Sequence, residues 1–362
     1  MSSAPAVVIV QLGCGKVGAP LVRMTIENRQ HIEDESGVRL AYGAIIRSSS
    51  LVFGDDLAMV AASEGADAGL WEPRTPGMTL DLMDTVFHHL GLPDRTRYIL
   101  VDVTASAETG PLLLEALRMG IPVVTANKIP LAETTGWFEA ATLASRQART
   151  PFHYECTVGG SLPVISTLVD LMETGDMVRE VTALCSSSLS CILGNVNRGV
   201  PLEAAIAEAM RRGFAEPNPL TDLAGRDALR KIIILAKTMG LPTAIDDVRQ
   251  EPLLDRSYPD FESFRGTGME RLATRLEATH APGTVTHYVG SAAADGTVQL
   301  GLRTFPQGSI WGTLEPSENL FLFRTARFGD LPVVVRGVGG GPVLTASGVL
   351  ADIIKAARSC VC

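Results

Sequence analysis

Two groups of residues in this sequence could do chemistry. The first is the block 215–231, which reads Ala-Glu-Pro-Asn-Pro-Leu-Thr-Asp-Leu-Ala-Gly-Arg-Asp-Ala-Leu-Arg-Lys. Asp227 and Lys231 are four residues apart, so a helix places both on one face. The helix continues as an apolar run, Ile232-Ile233-Ile234-Leu235-Ala236. A charged pair heading a buried segment is costly unless it is paired or used. Lysine beside a carboxylate can hold a substrate oxygen and deliver a proton. An ordinary stabilising helix pair is the alternative at this point. Lysine is also scarce: positions 16, 128, 231, 237 and 355 are the only lysines among 31 basic residues.

The second group is Gly13-Cys14-Gly15-Lys16-Val17-Gly18, a GxGxxG that follows an apolar run and opens a helical pattern. Its glycines permit a tight turn, backbone approach to a pyrophosphate, and close helix–strand packing. The helix N-terminus adds N–H donors and positive dipole. An acid closing the second strand would bind the ribose 2′-hydroxyl of NAD, but the strand closes on Ile46-Arg47-Ser48-Ser49. Arg47 can instead meet a 2′-phosphate, which favours NADP or dual use. Thr104, after the strand that ends at Asp102, is expected at the cofactor edge. Asp102 either serves the site or caps a turn. Lys128 closes the run Val124-Thr125-Ala126-Asn127-Lys128 at another strand end. Glu155 precedes a Gly- and Pro-containing turn at 157–163, whose carbonyls suit a hard cation; a structural turn with Glu155 as its cap is the alternative, and the residues alone favour it.

These residues need a scaffold. Strands are expected at 6–12, 39–47, 98–104 and 121–126, alternating with helices at 16–29 and 111–120. That alternation is the mark of βαβ units on a parallel sheet, with ligands at the carboxyl ends of its strands. After about residue 150 the pattern becomes strands of a mixed or antiparallel sheet, at 178–188 and within 283–305, with helices at 201–213 and 222–240. A strand, a glycine turn and an amphipathic helix close the chain. The expected fold is α/β, a Rossmann-type doubly wound sheet with an inserted α+β substrate and dimerisation domain. The nucleotide domain would comprise 1–152 and 335–362, and the insert 153–334, with the last helix returning to the nucleotide domain.

Composition bounds the partners. The 362 residues are 46% hydrophobic and 20% charged, with a net charge of −9. The charges are scattered, which argues against a nucleic-acid or anionic-membrane partner. No apolar run reaches the roughly 20 residues of a membrane span. Six cysteines and six histidines show no metal or disulfide spacing, so reduced thiols in the cytoplasm are expected.

Taken together, the chain resembles homoserine dehydrogenase, the short monofunctional kind without an aspartate kinase or C-terminal regulatory domain. The matching segments are GxGxVG at 13–18, VTANK at 124–128, YExTVGGxLP at 154–163, GFAEPNPLTDLAGRDALRK at 213–231, SENLFLFRTARF at 317–328, and the closing segment 337–354. The resemblance implies reversible NAD(P)-dependent reduction of L-aspartate 4-semialdehyde to L-homoserine, in threonine, methionine and isoleucine biosynthesis. It implies that Lys231 donates the proton to the aldehyde oxygen with Asp227 beside it, and that Lys128 sits at the substrate and nicotinamide. Glu216 would bind the substrate amino group, with Asp222 in the same substrate set. Gly13, Gly15, Lys16, Val17, Gly18, Arg47, Thr104, Lys128 and Gly341 would bind the cofactor. Glu155 with the carbonyls of Val158, Gly160 and Leu162 would form a sodium site, and the protein would be a cytoplasmic homodimer. The chain departs from the family at 186–192: Ser187 and Ser188 replace a glycine and a threonine, and Cys191 replaces an aromatic residue. These changes keep open a same-fold dehydrogenase for another amino-acid aldehyde or keto acid; a non-catalytic NADPH-binding regulator is a third reading, against which the intact Glu216, Asp227 and Lys231 set argues.

Overall fold

The computed structural model describes residues 6–54, 71–73, 80–91 and 97–361. The chain divides into two compact units, Met1–Thr157 with Pro342–Cys362, and Val158–Gly341.

In the first unit, the described strands are β1 (Ala6–Leu12), β2 (Arg39–Ile46), β3 (Ser50–Phe53), β4 (Glu72–Pro73), β5 (Tyr98–Asp102), β6 (Val123–Thr125) and β7 (Phe152–His153). They form one sheet in the order β4-β3-β2-β1-β5-β6-β7. The five strands from β2 to β7 in that order pair in parallel, while β3 and β4 extend the edge antiparallel. The apolar runs predicted as strands are buried on both faces, as a parallel sheet requires; every residue of β5 is buried. One face is covered by the helices Gly18–Glu27, Arg29–Ser36 and Pro342–Val361, whose Leu21, Val22, Ile32, Ala346, Val349 and Ile353 join Ile9, Tyr42, Ile99 and Val101 in one core. Connections from β1 run to β2 on one side, and β5 lies on the other. This reversal of strand order opens a crevice beyond the carboxyl ends of β1 and β5.

The second unit holds β8 (Val178–Leu184), β9 (Arg249–Gln250), β10 (Thr284–Ala293), β11 (Val298–Pro306), β12 (Glu318–Thr325) and β13 (Val333–Val338). Their order is β13-β12-β8-β10-β11-β9, antiparallel except for the short β9 beside β11. The helices Ser187–Val196 and Arg226–Thr238 pack on one face. Contact there is close: a Cβ at Gly290 of β10 would stand 3.0 Å from Ile232 Cγ1.

Two expectations are corrected. The segment 178–188 is not strand throughout, because β8 ends at Leu184. Ser186 then caps a helix, its Oγ accepting the Leu189 N–H at 3.3 Å. A serine run after a strand supplies cap acceptors rather than strand residues. The chain also returns to the first unit at Pro342 rather than 335, because β13 pairs with β12 along Glu318–Phe323. The outgoing division falls after Thr157 rather than 152, since the turn Glu155–Thr157 packs against the helix Pro342–Val361.

Candidate functional site

In the first unit the glycine turn follows β1 directly. Gly13 has φ +93°, a conformation only glycine adopts easily. A Cβ there would also come within 3.0 Å of Thr104 Cγ2. Gly18 opens the helix so tightly that a Cβ would lie 2.5 Å from the Gly13 carbonyl oxygen and 2.9 Å from Gln11 Nε2. Gly15 is different: a Cβ there would meet nothing within 4 Å. Packing within the protein does not demand glycine at 15, so the open space fits close approach by a ligand. Lys16 and Val17 complete the turn; Lys16 is exposed, while Val17 is half-buried against the core. These features fit a dinucleotide pyrophosphate, with N–H groups of the following helix as donors.

Gln11 holds this turn from below. It is fully buried in an otherwise apolar strand. Its Nε2 donates to the carbonyls of Gly13 (2.7 Å) and Gly18 (3.2 Å), and its Oε1 accepts from Tyr42 Oη at 2.9 Å. Nothing in the sequence reading singled it out, although a lone polar residue inside AVVIVQL was the available signal.

At the end of β5, Asp102 is fully buried. It accepts from the Thr104 N–H (2.9 Å), Thr109 Oγ1 (2.6 Å) and Asn127 Nδ2 (3.0 Å). Burial lifts its pKa, against the hydrogen bonds from Thr109, Thr104 and Asn127. Asn127 Nδ2 also reaches the Ser106 carbonyl at 2.7 Å, while its Oδ1 accepts the Ile129 N–H at 3.1 Å and caps the helix Lys128–Glu133. Asp102 and Asn127 therefore fix where Thr104 and Lys128 stand at the strand ends. Of the two readings of Asp102, the turn-holding one describes its contacts. Asn127 lay within the quoted motif but was not picked out as the element that starts the Lys128 helix.

Arg47 leaves the end of β2 and lays its guanidinium over the Trp71 indole, 3.6 Å from the ring centroid. It also hydrogen-bonds the Cys14 side chain in the glycine turn; burial raises the pKa of that thiol, while Arg47 pulls it down. The arginine is thus anchored beside the turn rather than free in solvent.

In the second unit, Gly225 (φ +70°) sets the start of the helix Arg226–Thr238, where a Cβ would press on Tyr288 at 3.0 Å. Lys231 is buried two turns in. Its Nζ donates to Asp227 Oδ2 and to the Cys185 carbonyl, both at 2.7 Å. The Asp227 side chain remains 44% exposed, so the pair has one buried and one wet end. Burial works against the Lys231 charge, but the Asp227 carboxylate outweighs it and holds the lysine pKa above its ordinary value. Burial pushes the Cys185 thiol up to about 12, so it stays neutral.

Asp222 lies in the short helix Leu220–Leu223, and its Oδ2 accepts the Glu216 N–H at 2.9 Å. It also hydrogen-bonds Ser188, and burial raises its pKa against these two bonds. Ser188 Oγ in turn lies 3.1 Å from Ser186 Oγ. Asp222 thereby ties the loop bearing the exposed Glu216 to the start of the helix Ser187–Val196. Lys231, Asp227, Asp222, Glu216 and Ser188 belong to this unit; Gly13–Gly18, Arg47, Thr104 and Lys128 belong to the first.

The expected cation ligands are divided in the same way. Glu155 is buried in the turn Glu155–Thr157 of the first unit, where its N–H donates to Asp352 at 3.1 Å. Val158, Gly160 and Leu162 follow in the second. Gly159 and Gly160 both have positive φ, +80° and +63°, which turns successive carbonyls. The Leu162 carbonyl already accepts the Val164 N–H at 2.9 Å. Gly341, φ +116°, stands immediately before the helix Pro342–Val361. Among the described residues no cluster of three His, Cys, Asp or Glu could hold a metal, and no helix is long and apolar enough to cross a membrane.

Comparison with known proteins agrees with this layout. Residues 163–354 match the family model described as homoserine dehydrogenase, and residues 13–155 match its NAD-binding domain. A homoserine dehydrogenase of Emericella nidulans is 33% identical over 277 residues, covering 72% of this chain and 75% of that protein. A chloroplastic bifunctional aspartokinase/homoserine dehydrogenase 1 of Zea mays is 31% identical over 358 residues, 95% of this chain. The chain spans only 38% of the length of that maize relative. Among solved structures, a hyperthermophilic archaeal homoserine dehydrogenase in complex with NADPH superposes with a TM-score of 0.74 at 25% identity, covering 97% of this chain and 98% of that one.

Proposed function

The chain belongs to the homoserine dehydrogenase family, and from that premise we propose that it catalyses the reversible NAD(P)-dependent reduction of L-aspartate 4-semialdehyde to L-homoserine. The observation that carries this reading is the buried Lys231 ammonium, held charged between the Asp227 carboxylate and the Cys185 carbonyl.

Bound NAD(P)H supplies a hydride to the aldehyde carbon. Reduction then requires a proton on the oxygen, and Lys231 gives it as the alkoxide forms. Such general acid catalysis contributes about 10²- to 10⁴-fold. Asp227 keeps Lys231 protonated and aimed, and its wet edge offers a route for reprotonation. Glu216 pairs the substrate ammonium, and Asp222 holds the Glu216 loop in place. We assign Lys128 to the substrate and nicotinamide edge, and Thr104 and Gly341 to the cofactor. The glycine turn takes the pyrophosphate, as Gly15's open space supports. Arg47, anchored on Trp71, meets a 2′-phosphate, so NADPH is preferred.

Three further parts belong to the same proposal. The protein is a homodimer through the second unit, supported by the exposed Met177 before β8, Phe328 and Leu331 in the β12–β13 connection, and Val334 in β13. It works in the cytoplasm, supported by the cysteines Cys14, Cys156, Cys185, Cys191 and Cys360, none of them in a disulfide, and supplies homoserine for threonine and methionine biosynthesis. Sodium supports activity through Glu155 and the carbonyls of Val158, Gly160 and Leu162. NADPH consumption with L-aspartate semialdehyde, measured in sodium and in choline buffers, tests the reaction and the ion together. A rate that is the same in both buffers removes the ion; no consumption in either removes the reaction.

A further inference from the structure

The turn that accepts the Lys231 proton-bearing group is itself clamped, and the clamp uses Ser187. Lys231 Nζ donates to the carbonyl of Cys185, which lies between the last residue of β8 and the cap of the helix Ser187–Val196. Asn319 of β12, fully buried, spans that turn. Its Nδ2 donates to the Leu184 carbonyl at 2.8 Å, and its Oδ1 accepts from Ser187 Oγ at 3.0 Å. One amide side chain therefore bonds the residue before Cys185 and the second residue after it.

The opposite wall is backbone. A Cβ at Gly339 would overlap Asn319 Oδ1, and a Cβ at Gly340 would lie 2.7 Å from Ser187 Oγ. Glycine at both positions leaves room for the Ser187–Asn319 pair. A glycine at 187 could not make this bond, since it has no hydroxyl. The serine thus supplies a directed hydrogen bond to Asn319 from a half-buried position.

We propose that Ser187 and Asn319 act as positioning residues that fix the Cys185 carbonyl, and through it the Lys231 ammonium, for proton delivery. This rests on the dehydrogenase reading above. Ser187→Ala removes the hydroxyl and nothing else, and costs about 3- to 10-fold in kcat, the range of one neutral hydrogen bond. KM for NADPH stays within about twofold, since the Ser187–Asn319 pair bonds the Cys185 turn and not the glycine turn Gly13–Gly18. The solvent deuterium isotope effect on kcat rises, because proton transfer becomes the slower part of the step. A purely structural role would lower the melting temperature without raising the isotope effect.

Nitrogen-15 NMR of the Lys231 ammonium, assigned by its loss in Lys231→Met, gives a readout that needs no turnover. In Ser187→Ala that signal exchanges faster with water. Asn319→Asp, which keeps the acceptor for Ser187 and loses the donor to Leu184, has the same effect, and combined with Ser187→Ala it gives less than the sum of the two. An unchanged Lys231 signal with unchanged kcat and isotope effect in Ser187→Ala overturns the proposal. A wild-type protein that fails to reduce the semialdehyde overturns the reaction instead, and the NMR comparison still judges the clamp.

Discussion

The two units of this chain prepare chemistry in opposite ways. The turn at Gly13–Gly18 works by leaving space: one glycine supplies a left-handed turn, one closes helix against strand, and one is empty-sided. Gln11 supports it from the side, fixing carbonyls rather than touching a ligand. The Lys231 cluster works by filling space. Asp227, Cys185, Asp222, Ser188, Ser187 and Asn319 arrive from separate segments and satisfy one another before any substrate is present. Backbone recognition suits a cofactor whose phosphates are alike in every turnover. A fixed side-chain network suits a proton that must be delivered to one atom.

The sharpest way to break this contrast is Lys231→Met. It is expected to lower kcat by about 10²- to 10⁴-fold while NADPH binding, followed by fluorescence titration, stays intact. Loss of NADPH binding in that variant would mean the two functions are not separable.

The glycines offer the reverse test. Gly15→Ala is expected to leave the melting temperature unchanged and to raise the NADPH Kd about tenfold, since only a ligand comes near that position. Gly18→Ala is expected to lower both stability and binding, because its Cβ meets the Gly13 carbonyl oxygen. Equal loss of stability in the two variants, seen by calorimetry, would contradict the roles given to them.

Asp227→Asn probes the charge. The native Lys231 pKa lies above its unfolded value of about 10.4, so the charged form contributes stability at neutral pH. That contribution is lost only as pH rises through the higher native value. Removing the carboxylate leaves burial, which opposes the charge. The alkaline limb of the kcat–pH profile is then expected to move down, and a limb that stays in place would detach Asp227 from the lysine. Arg47→Ala is expected to lose about tenfold in preference for NADPH over NADH, read from the ratio of kcat/KM values.

Much of this was legible in the sequence because its signals are local. The glycine turn, the strand alternation and the i, i+4 pairing of Asp227 with Lys231 all lie within short windows, and periodicity reports such windows well. What was missed is non-local. Gln11 reaches Tyr42, 31 positions away, and Asn319 reaches Ser187 across 132. No window contains both partners, so the serine substitutions at 187 and 188 read as departures when the structure gives each a hydrogen-bond partner. The strand at 178–188 was overextended for a related reason: Ser186 caps a helix whose packing on β10 and β12 only the folded sheet supplies.

The most direct test is absorbance at 340 nm with L-aspartate semialdehyde and NADPH, wild type beside Lys231→Met. Rapid NADPH oxidation by the wild type and its near-abolition in the variant is the predicted result. Comparable rates in both, or no oxidation by a wild-type protein shown to bind NADPH, would contradict the assignment of Lys231 as the proton donor for this reaction.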